Sequence, residues 1–321
     1  MINFINLSCY YRKVKTKYSK QQKRSKTNKF LPPPSFISFE PTNYCNLKCP
    51  ACPSGTGLLT RDKGFADLGL FKKLIRENKN HLINIILHFQ GEPLLHEQIG
   101  EMISFARTHK IYTEFSTNGH TIHNNIDIIK KAKPDKIVVS LDGIEQETYN
   151  KYRINGDIQK VYQGLEALSE LNKKERPYIE LQFLVFKHNE HEIKHLHKLK
   201  KKYKIDKISL KTAQIYSENQ IALLPKNYKY SRYIVNGAKF TIKSKLPNSC
   251  KRIIFGSVIT WDGKLVPCCF DKDADFIMGD VKNKTINNIR NENNYQRFIK
   301  NVFSQRNKIE MCKNCTEGIK I

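Results

Sequence analysis

Residues 36–52 read FISFEPTNYCNLKCPAC. The stretch opens with a short apolar run, Phe36–Glu40, which predicts a buried β-strand. The run leads directly into Cys45, Cys49 and Cys52, whose spacing is C-x3-C-x2-C. Three thiolates do not complete the shell of a structural zinc ion, so a zinc knuckle here would need a histidine from outside the loop. Three cysteines can instead hold three corners of an iron–sulfur cubane and leave its fourth iron open to another ligand.

Beyond this loop the chain alternates between strand-like and helix-like segments. The alternation indicates parallel βαβ units with right-handed crossovers. We therefore predict an α/β fold for residues 35–215, a partial (β/α)6 TIM-like barrel, although a doubly wound sheet would give the same pattern. The six predicted strands are 36–40, 83–89, 112–116, 137–141, 179–186 and 207–210.

Polar motifs follow the predicted strands at the points where they end. They are Gln90–Pro93 (QGEP), Ser116–Gly119 (STNG) and Ser140–Gly143 (SLDG). In either α/β arrangement, ligands bind at the carboxyl ends of the strands. These motifs are therefore candidate binding residues. For Asn118–Gly119 a plain turn is the alternative.

The cysteine loop and these three motifs, in this order, resemble the radical S-adenosylmethionine superfamily over residues 36–213. The resemblance implies a [4Fe–4S] cluster held by Cys45, Cys49 and Cys52. It also implies that S-adenosylmethionine binds the open iron and is cleaved reductively to methionine and a 5′-deoxyadenosyl radical.

The resemblance also assigns roles to side chains at the strand ends. Gly91 and Glu92 are expected to bind the amino group of the methionine moiety, although Gln90 replaces the first glycine of the family motif. Ala51 stands where the family usually has an aromatic residue near the adenine. The other expected cofactor contacts are Ser116, Asn118, Ser140, Asp142 and Arg153. For Arg153 the alternative is a charge on the surface of a helix.

A second group of cysteines lies near the end of the chain. Cys250, Gly263 and Cys268 have the spacing C-x12-G-x4-C, and Cys312 and Cys315 form a C-x2-C pair. This arrangement resembles the SPASM/twitch auxiliary domain of some radical enzymes. It implies one auxiliary [4Fe–4S] cluster held by these four cysteines, with a four-thiolate zinc site as the alternative.

We predict that this smaller module occupies residues 216–321. Residues 216–249 are polar and predict irregular structure, whereas 253–270 predict a β-hairpin with its turn at Asp262–Gly263. Two further residues in the module are catalytic candidates. Cys269 has a thiol that could donate a hydrogen atom, take a proton or replace a cluster ligand, and Asp271 is a second candidate base. Their alternatives are a buried small residue and a solvated turn.

The formal charge of +26 raises the question of nucleic acid or membrane binding. Nine Lys or Arg residues fall within residues 12–29, and the first acidic residue is Glu40. We read residues 1–34 as a basic N-terminal extension, with a solvated arm as the plain interpretation. No apolar run reaches the ~18–20 residues of a membrane helix, and the N-terminus lacks a signal-peptide core. We therefore expect no membrane span and a cytoplasmic location.

Together these features predict a radical enzyme that removes hydrogen from an organic substrate, either a peptide side chain or a sugar-derived molecule. A maturase that acts on a partner protein is one form of this function. The expected electron donor is a flavodoxin or a ferredoxin. We expect no nucleic-acid partner. The alternatives are an iron–sulfur or zinc protein that binds nucleic acid and a non-catalytic scaffold.

Overall fold

The computed structural model describes residues 31–315. Its central feature is a run of six parallel strands, in which each strand pairs with the next one along the chain. A doubly wound sheet would reverse its strand order, so the consecutive order confirms the predicted partial barrel. The strands are β1 (Phe36–Phe39), β2 (Asn84–Ile86), β3 (Tyr112–Thr117), β4 (Lys136–Ser140), β5 (Tyr178–Val185) and β6 (Lys207–Thr212).

Helices follow the strands and present apolar residues to the sheet. In the helix Leu68–Asn78, for example, Phe71, Leu74 and Ile75 are buried, and the Asp67 carboxylate caps the first turn by accepting from Leu70 N at 2.7 Å. The helices are α1 (Pro53–Thr56), α2 (Leu68–Asn78), α3 (Ile99–Thr108), α4 (Ile126–Ala132), α5 (Gln146–Asn150), α6 (Ile158–Glu170), α7 (Leu196–Lys202), α8 (Lys251–Phe255), α9 (Ile286–Asn291), α10 (Asn293–Gln305) and α11 (Glu310–Lys313). None of the helices between residues 31 and 315 is both long and apolar enough to cross a bilayer.

The two faces of the six-stranded sheet differ in chemistry. On one face, Ile37, Ile85, Phe115, Ile137 and Leu181 are buried in the core beneath the helices. The opposite face, called the concave face below, is mainly polar. A closed TIM barrel fills its interior with branched apolar side chains, so a polar face is typical of an open, hydrated lumen. The residues on the concave face of β2–β6 include Asn84, Ile86, Glu114, Ser116, Lys136, Val138, Ser140, Glu180, Gln182, Leu184, Lys207 and Ser209.

The C-terminal part joins the same sheet. Strands β9 (Gly256–Ile259), β10 (Lys264–Val266) and β11 (Gly279–Asp280) extend it to nine strands, because β9 pairs in parallel with β1. The predicted hairpin is present as β9 and β10, and Gly263 in its turn has a φ of 87°. The predicted hairpin began at residue 253, however, and residues 253–255 belong to helix α8 instead. The division into domains at residue 215 stays a prediction.

Residues 216–249 are not irregular throughout, as the sequence had led us to expect. They contain a two-stranded hairpin of β7 (Tyr233–Asn236) and β8 (Lys239–Ile242). Gly237 and Ala238 make its two-residue turn, and Gly237 has a φ of 60°. Residues 1–30 of the predicted basic extension, which covers residues 1–34, lie outside the described residues.

Candidate active site

The loop that carries Cys45, Cys49 and Cys52 runs from the carboxyl end of β1 to α1. Cys49 is buried, and Cys45 and Cys52 are half-buried. Burial raises the pKa of Cys45 to about 11 and that of Cys49 to about 12. Buried thiolates are costly unless a cation or metal compensates their charge. A positively charged group, such as the iron of a cluster, would therefore stabilise the thiolate form of the cysteine loop.

Two side chains that the sequence placed near the cofactor approach these thiols. Asn118 Nδ2 lies 3.9 Å from Cys45 Sγ, and it donates to Asn46 Oδ1 at 2.7 Å. Arg153 Nη1 lies 3.8 Å from Cys49 Sγ. The structure thus brings STNG and the arginine to the cysteine loop. Arg153 is not a surface charge, because its side chain is only 12% exposed.

Arg153 is held in place by Asp142. Its Nε donates to Asp142 Oδ2 at 2.7 Å, while Asp142 Oδ1 accepts from Leu184 N at 2.7 Å. Burial raises the pKa of Asp142, and the Arg153 guanidinium opposes that rise. Asp142 therefore serves the arginine and the end of β5. A direct contact between Asp142 and a cofactor stays a prediction.

The QGEP motif packs directly against the cysteine loop. Gly91 has a φ of 75°, and a Cβ there would lie 2.5 Å from Thr42 O and 2.6 Å from Tyr44 O. Only glycine tolerates both that conformation and that approach. Glu92 N donates to Tyr44 O at 2.7 Å. The motif is thus fixed beside the loop by its backbone.

The Glu92 side chain is fully buried at this junction. Its Oε1 accepts from Thr117 Oγ1 and its Oε2 from Asn118 N, both at 2.7 Å. Burial raises the pKa of the carboxyl, and these hydrogen bonds oppose the rise. A buried carboxylate at a strand end suits an ammonium group. Ser116 and Ser140 lie nearby on the concave face, Ser116 half-buried and Ser140 buried.

One buried pair was not identified from the sequence. Arg61 Nη1 donates to Glu40 Oε2 at 2.6 Å, and Trp261 N donates to the same oxygen at 3.1 Å. Arg61 Nε also donates to Lys272 O at 2.8 Å. The pair therefore joins the end of β1 and the segment after the cysteine loop to the C-terminal part. The position of Glu40, directly at the end of the first strand, was the available signal.

Four of the later cysteines line a common small pocket, called the auxiliary cavity below. Arg306 is almost fully buried beside it, and its Nη2 lies 3.2 Å from Cys315 Sγ. A buried guanidinium offsets the negative charge of cysteine thiolates. The cavity is lined by Cys250, Cys268, Cys312 and Cys315 together with Arg252, Ile253, Phe270, Val302, Arg306 and Met311.

The four cysteines that line this cavity come from two distant parts of the chain. Cys250 and Cys268 flank the β9–β10 hairpin, and Cys312 and Cys315 lie in and just after α11. The fold therefore brings the four proposed ligands of the auxiliary cluster to one place.

The two candidate catalytic residues lie in different surroundings. Cys269 packs against Phe89, Val258 and Val266, with Arg252 Nη1 at 3.7 Å from its Sγ. Asp271 is buried, so it is not part of a solvated turn. Its two oxygens accept from the backbone at residues 275 and 276, and burial raises its pKa to about 6. Asp271 thus shapes the turn after the cavity, and both catalytic roles stay predictions.

Comparison with known proteins agrees with this geometry. Residues 39–199 match the radical SAM superfamily, and residues 250–316 match the SPASM iron–sulfur cluster-binding domain. The chain is 29% identical to the GTP 3′,8-cyclase of Clostridium acetobutylicum over 43% of this chain and 44% of that protein. It is 30% identical to mycofactocin maturase MftC of Mycolicibacterium smegmatis over 43% of this chain and 35% of that protein.

Two further comparisons cover more of the chain. A probable GTP 3′,8-cyclase of Methanococcus maripaludis is 25% identical over 81% of this chain and 91% of that protein. The structure of Streptococcus suis SuiB bound to S-adenosylmethionine has a TM-score of 0.69 and 16% identity, covering 94% of this chain and 76% of SuiB. At that identity the likeness concerns the fold. The chain spans less than half the length of the first cyclase and of the maturase.

The superfamily match covers half of the chain and includes the cysteine loop and all three strand-end motifs. This chain therefore belongs to the radical SAM superfamily, as an enzyme whose cofactors are S-adenosylmethionine and [4Fe–4S] clusters.

Proposed function

We propose that this enzyme removes a hydrogen atom from an organic substrate, either a peptide side chain or a sugar-derived molecule. The observation that carries the proposal is the meeting of the cysteine loop, Glu92 and Arg153 at the carboxyl edge of the barrel. When bound, the cluster and S-adenosylmethionine supply a 5′-deoxyadenosyl radical. The polar lumen beneath them is the space available to a substrate.

The residues of this chain would each have a definite part. Cys45, Cys49 and Cys52 would hold the cluster. Glu92 would bind the ammonium group of S-adenosylmethionine, and Arg153 would offer the donors that Asp142 does not occupy to its carboxylate. Ser116, Asn118 and Ser140 would contribute further hydrogen bonds.

The four later cysteines would hold one auxiliary cluster. Arg306 would stabilise their thiolate form. A peptide substrate has support from a neighbour of the same fold, because SuiB has been solved bound to its precursor peptide SuiA. MftC, by its name, is a maturase. We propose a flavodoxin or ferredoxin as electron donor and the cytoplasm as location.

The direct test of this function is anaerobic reconstitution with iron and sulfide, followed by reduction in the presence of S-adenosylmethionine. We expect 5′-deoxyadenosine and methionine in equal amounts, measured by liquid chromatography. A reconstituted, reduced protein that leaves S-adenosylmethionine intact would refute the proposal.

Arg153→Lys is expected to weaken the binding of S-adenosylmethionine by about tenfold. Lysine keeps the charge but lacks the planar guanidinium fork. In Arg153 that fork contacts Asp142 and has a further donor, Nη1, near Cys49. The dissociation constant should be measured by equilibrium dialysis with the reconstituted protein. Arg107→Lys is the matched control, because Arg107 pairs with Asp135 away from the cysteine loop. Equal affinities in both variants would contradict this role for Arg153.

Cys312→Ala is expected to lower the iron content from about eight to about four atoms per chain, since each cubane carries four irons. Iron should be counted after anaerobic reconstitution, with zinc measured in parallel. Cys269→Ala is the control, because Cys268 and not Cys269 is the proposed ligand. If the unmodified protein contained about four irons and one zinc ion per chain, the later cysteines would hold zinc and the proposed auxiliary cluster would be wrong.

A further inference from the structure

A network of paired charges lies on the part of the concave face that is farther from the cysteine loop. Lys136 Nζ lies 3.2 Å from Glu114 Oε2 and 2.8 Å from Glu180 Oε2. Lys207 Nζ lies 3.3 Å from Glu180 Oε1, and Asn84 Nδ2 donates to Glu114 Oε1 at 2.8 Å. Two ammonium groups thus balance two carboxylates. This charged floor offers no unbalanced charge to a ligand in the lumen.

The next row of side chains toward the cysteine loop is uncharged. Ser140 of β4, Gln182 of β5 and Ser209 of β6 lie side by side in register. This row lies two residues beyond the row of Glu180 and Lys207 along the strands, toward the candidate cofactor site. Lys211, two residues further along β6, is exposed to solvent on the edge strand. The wall above the floor is therefore made of neutral hydrogen-bonding groups.

Two uncharged side chains of the concave face have room for a ligand. Gln182 belongs to the neutral row, whereas Ser116 pairs with Val138 and so lies in the row of Glu180; both side chains are half-buried. Neither side chain has a hydrogen-bond partner among residues 31–315. A carboxamide and a hydroxyl can each both donate and accept.

His88 adds a third neutral group at the same level. It lies two residues beyond Ile86, which pairs with Glu114, so the same register sets it beside Ser116. The ring is half-buried, and its Nδ1 is buried without a partner. Burial lowers the pKa of His88 to about 4, so the imidazole is neutral at pH 7. A buried ring nitrogen without a hydrogen bond is costly, and a ligand that pairs with the ring, once the ring turns toward the lumen, would remove that cost.

We propose that the concave face, at and just above the row of Glu180 and Lys207, binds an uncharged hydrogen-bonding part of the substrate, a hydroxyl or an amide, through His88, Ser116 and Gln182. The inference rests on the proposed function, which gives the lumen to the substrate. A carboxylate or phosphate here would lose its hydration and gain no counter-charge, because Lys136 and Lys207 already pair with carboxylates. A neutral polar group loses less hydration and finds both donors and acceptors.

The test uses the full chain with oxidised clusters and bound S-adenosylmethionine, labelled with 15N-histidine. Four small probes of similar size are titrated separately: acetamide, ethylene glycol, acetate and methylammonium. We expect acetamide and ethylene glycol to move the ring 15N signals of His88 saturably, and the two ions to leave them in place. His109 is the internal reference, because its Nδ1 lies 3.0 Å from Phe105 O at the end of α3.

A matched pair of variants tests the contact itself. Gln182→Leu should weaken acetamide binding by at least about threefold, as the loss of one neutral hydrogen bond implies. Gln163→Leu, the same change at an exposed position on α6, should leave binding as in the unmodified protein. Tighter binding of acetate or methylammonium, or no response to any probe, would overturn the inference. If that same sample forms 5′-deoxyadenosine once its clusters are reduced, only this inference fails and the proposed function stands.

Discussion

Cys49→Ala is expected to lower 5′-deoxyadenosine formation by at least about 100-fold. Losing a residue that only supports a metal ligand costs about 10- to 100-fold in affinity or activity, and losing a ligand itself should cost more. Cys49 is also the thiol nearest Arg153, so its loss affects the cluster and the cofactor site together. Product should be measured by liquid chromatography after anaerobic reduction, with iron counted in the same samples.

The control for this experiment is Cys9→Ala. Cys9 belongs to neither cysteine group and lies outside the described residues, so its removal tests for a general effect of losing a thiol. We expect full product from this variant. Substantial product from Cys49→Ala, with the full iron content, would mean that the cysteine loop does not carry the catalytic cluster.

Glu40→Ala is expected to lower the free energy of unfolding by about 3–5 kcal/mol. The change leaves the Arg61 guanidinium, only 12% exposed, without its carboxylate, and an uncompensated buried charge is strongly destabilising. Trp261 N would lose its acceptor as well. Chemical denaturation of the protein, followed by circular dichroism, measures the effect.

The matched control is Glu147→Ala, which removes a carboxylate from an exposed pair with Lys151. Exposed pairs contribute about 0–1 kcal/mol, so this variant should remain close to the unmodified protein. If Glu40→Ala were no less stable than Glu147→Ala, the Glu40–Arg61 pair would not join the two parts of the chain. Arg61→Lys should fall between them, because it keeps the charge but loses the fork.

Features that depend on neighbouring residues could be predicted from the sequence. Short stretches of sequence are enough to predict the six strands, the strand-end motifs and the spacing of Cys45, Cys49 and Cys52. The β7–β8 hairpin belongs in this class as well. Gly237, the first residue of its two-residue turn, is a hairpin signal that the polar composition of residues 216–249 obscured.

Features that depend on distant residues could not be predicted in the same way. Trp261 reaches Glu40 across 221 positions, and β9 pairs with β1 although the whole barrel separates them in sequence. Local patterns show that Arg153 and Asp142 are charged, but not that they bind each other in a buried site. The neutrality of the lumen is likewise a property of five strands together, which no single strand reveals.

The central claim is that the cluster held by the cysteine loop has one iron free to bind S-adenosylmethionine. Electron paramagnetic resonance of the reduced, reconstituted protein tests it directly, with Cys312→Ala used to remove the auxiliary signal. We predict that adding S-adenosylmethionine shifts the g-values, and that 15N in its amino group produces a hyperfine coupling to the cluster. An unchanged spectrum at saturating S-adenosylmethionine would contradict the account.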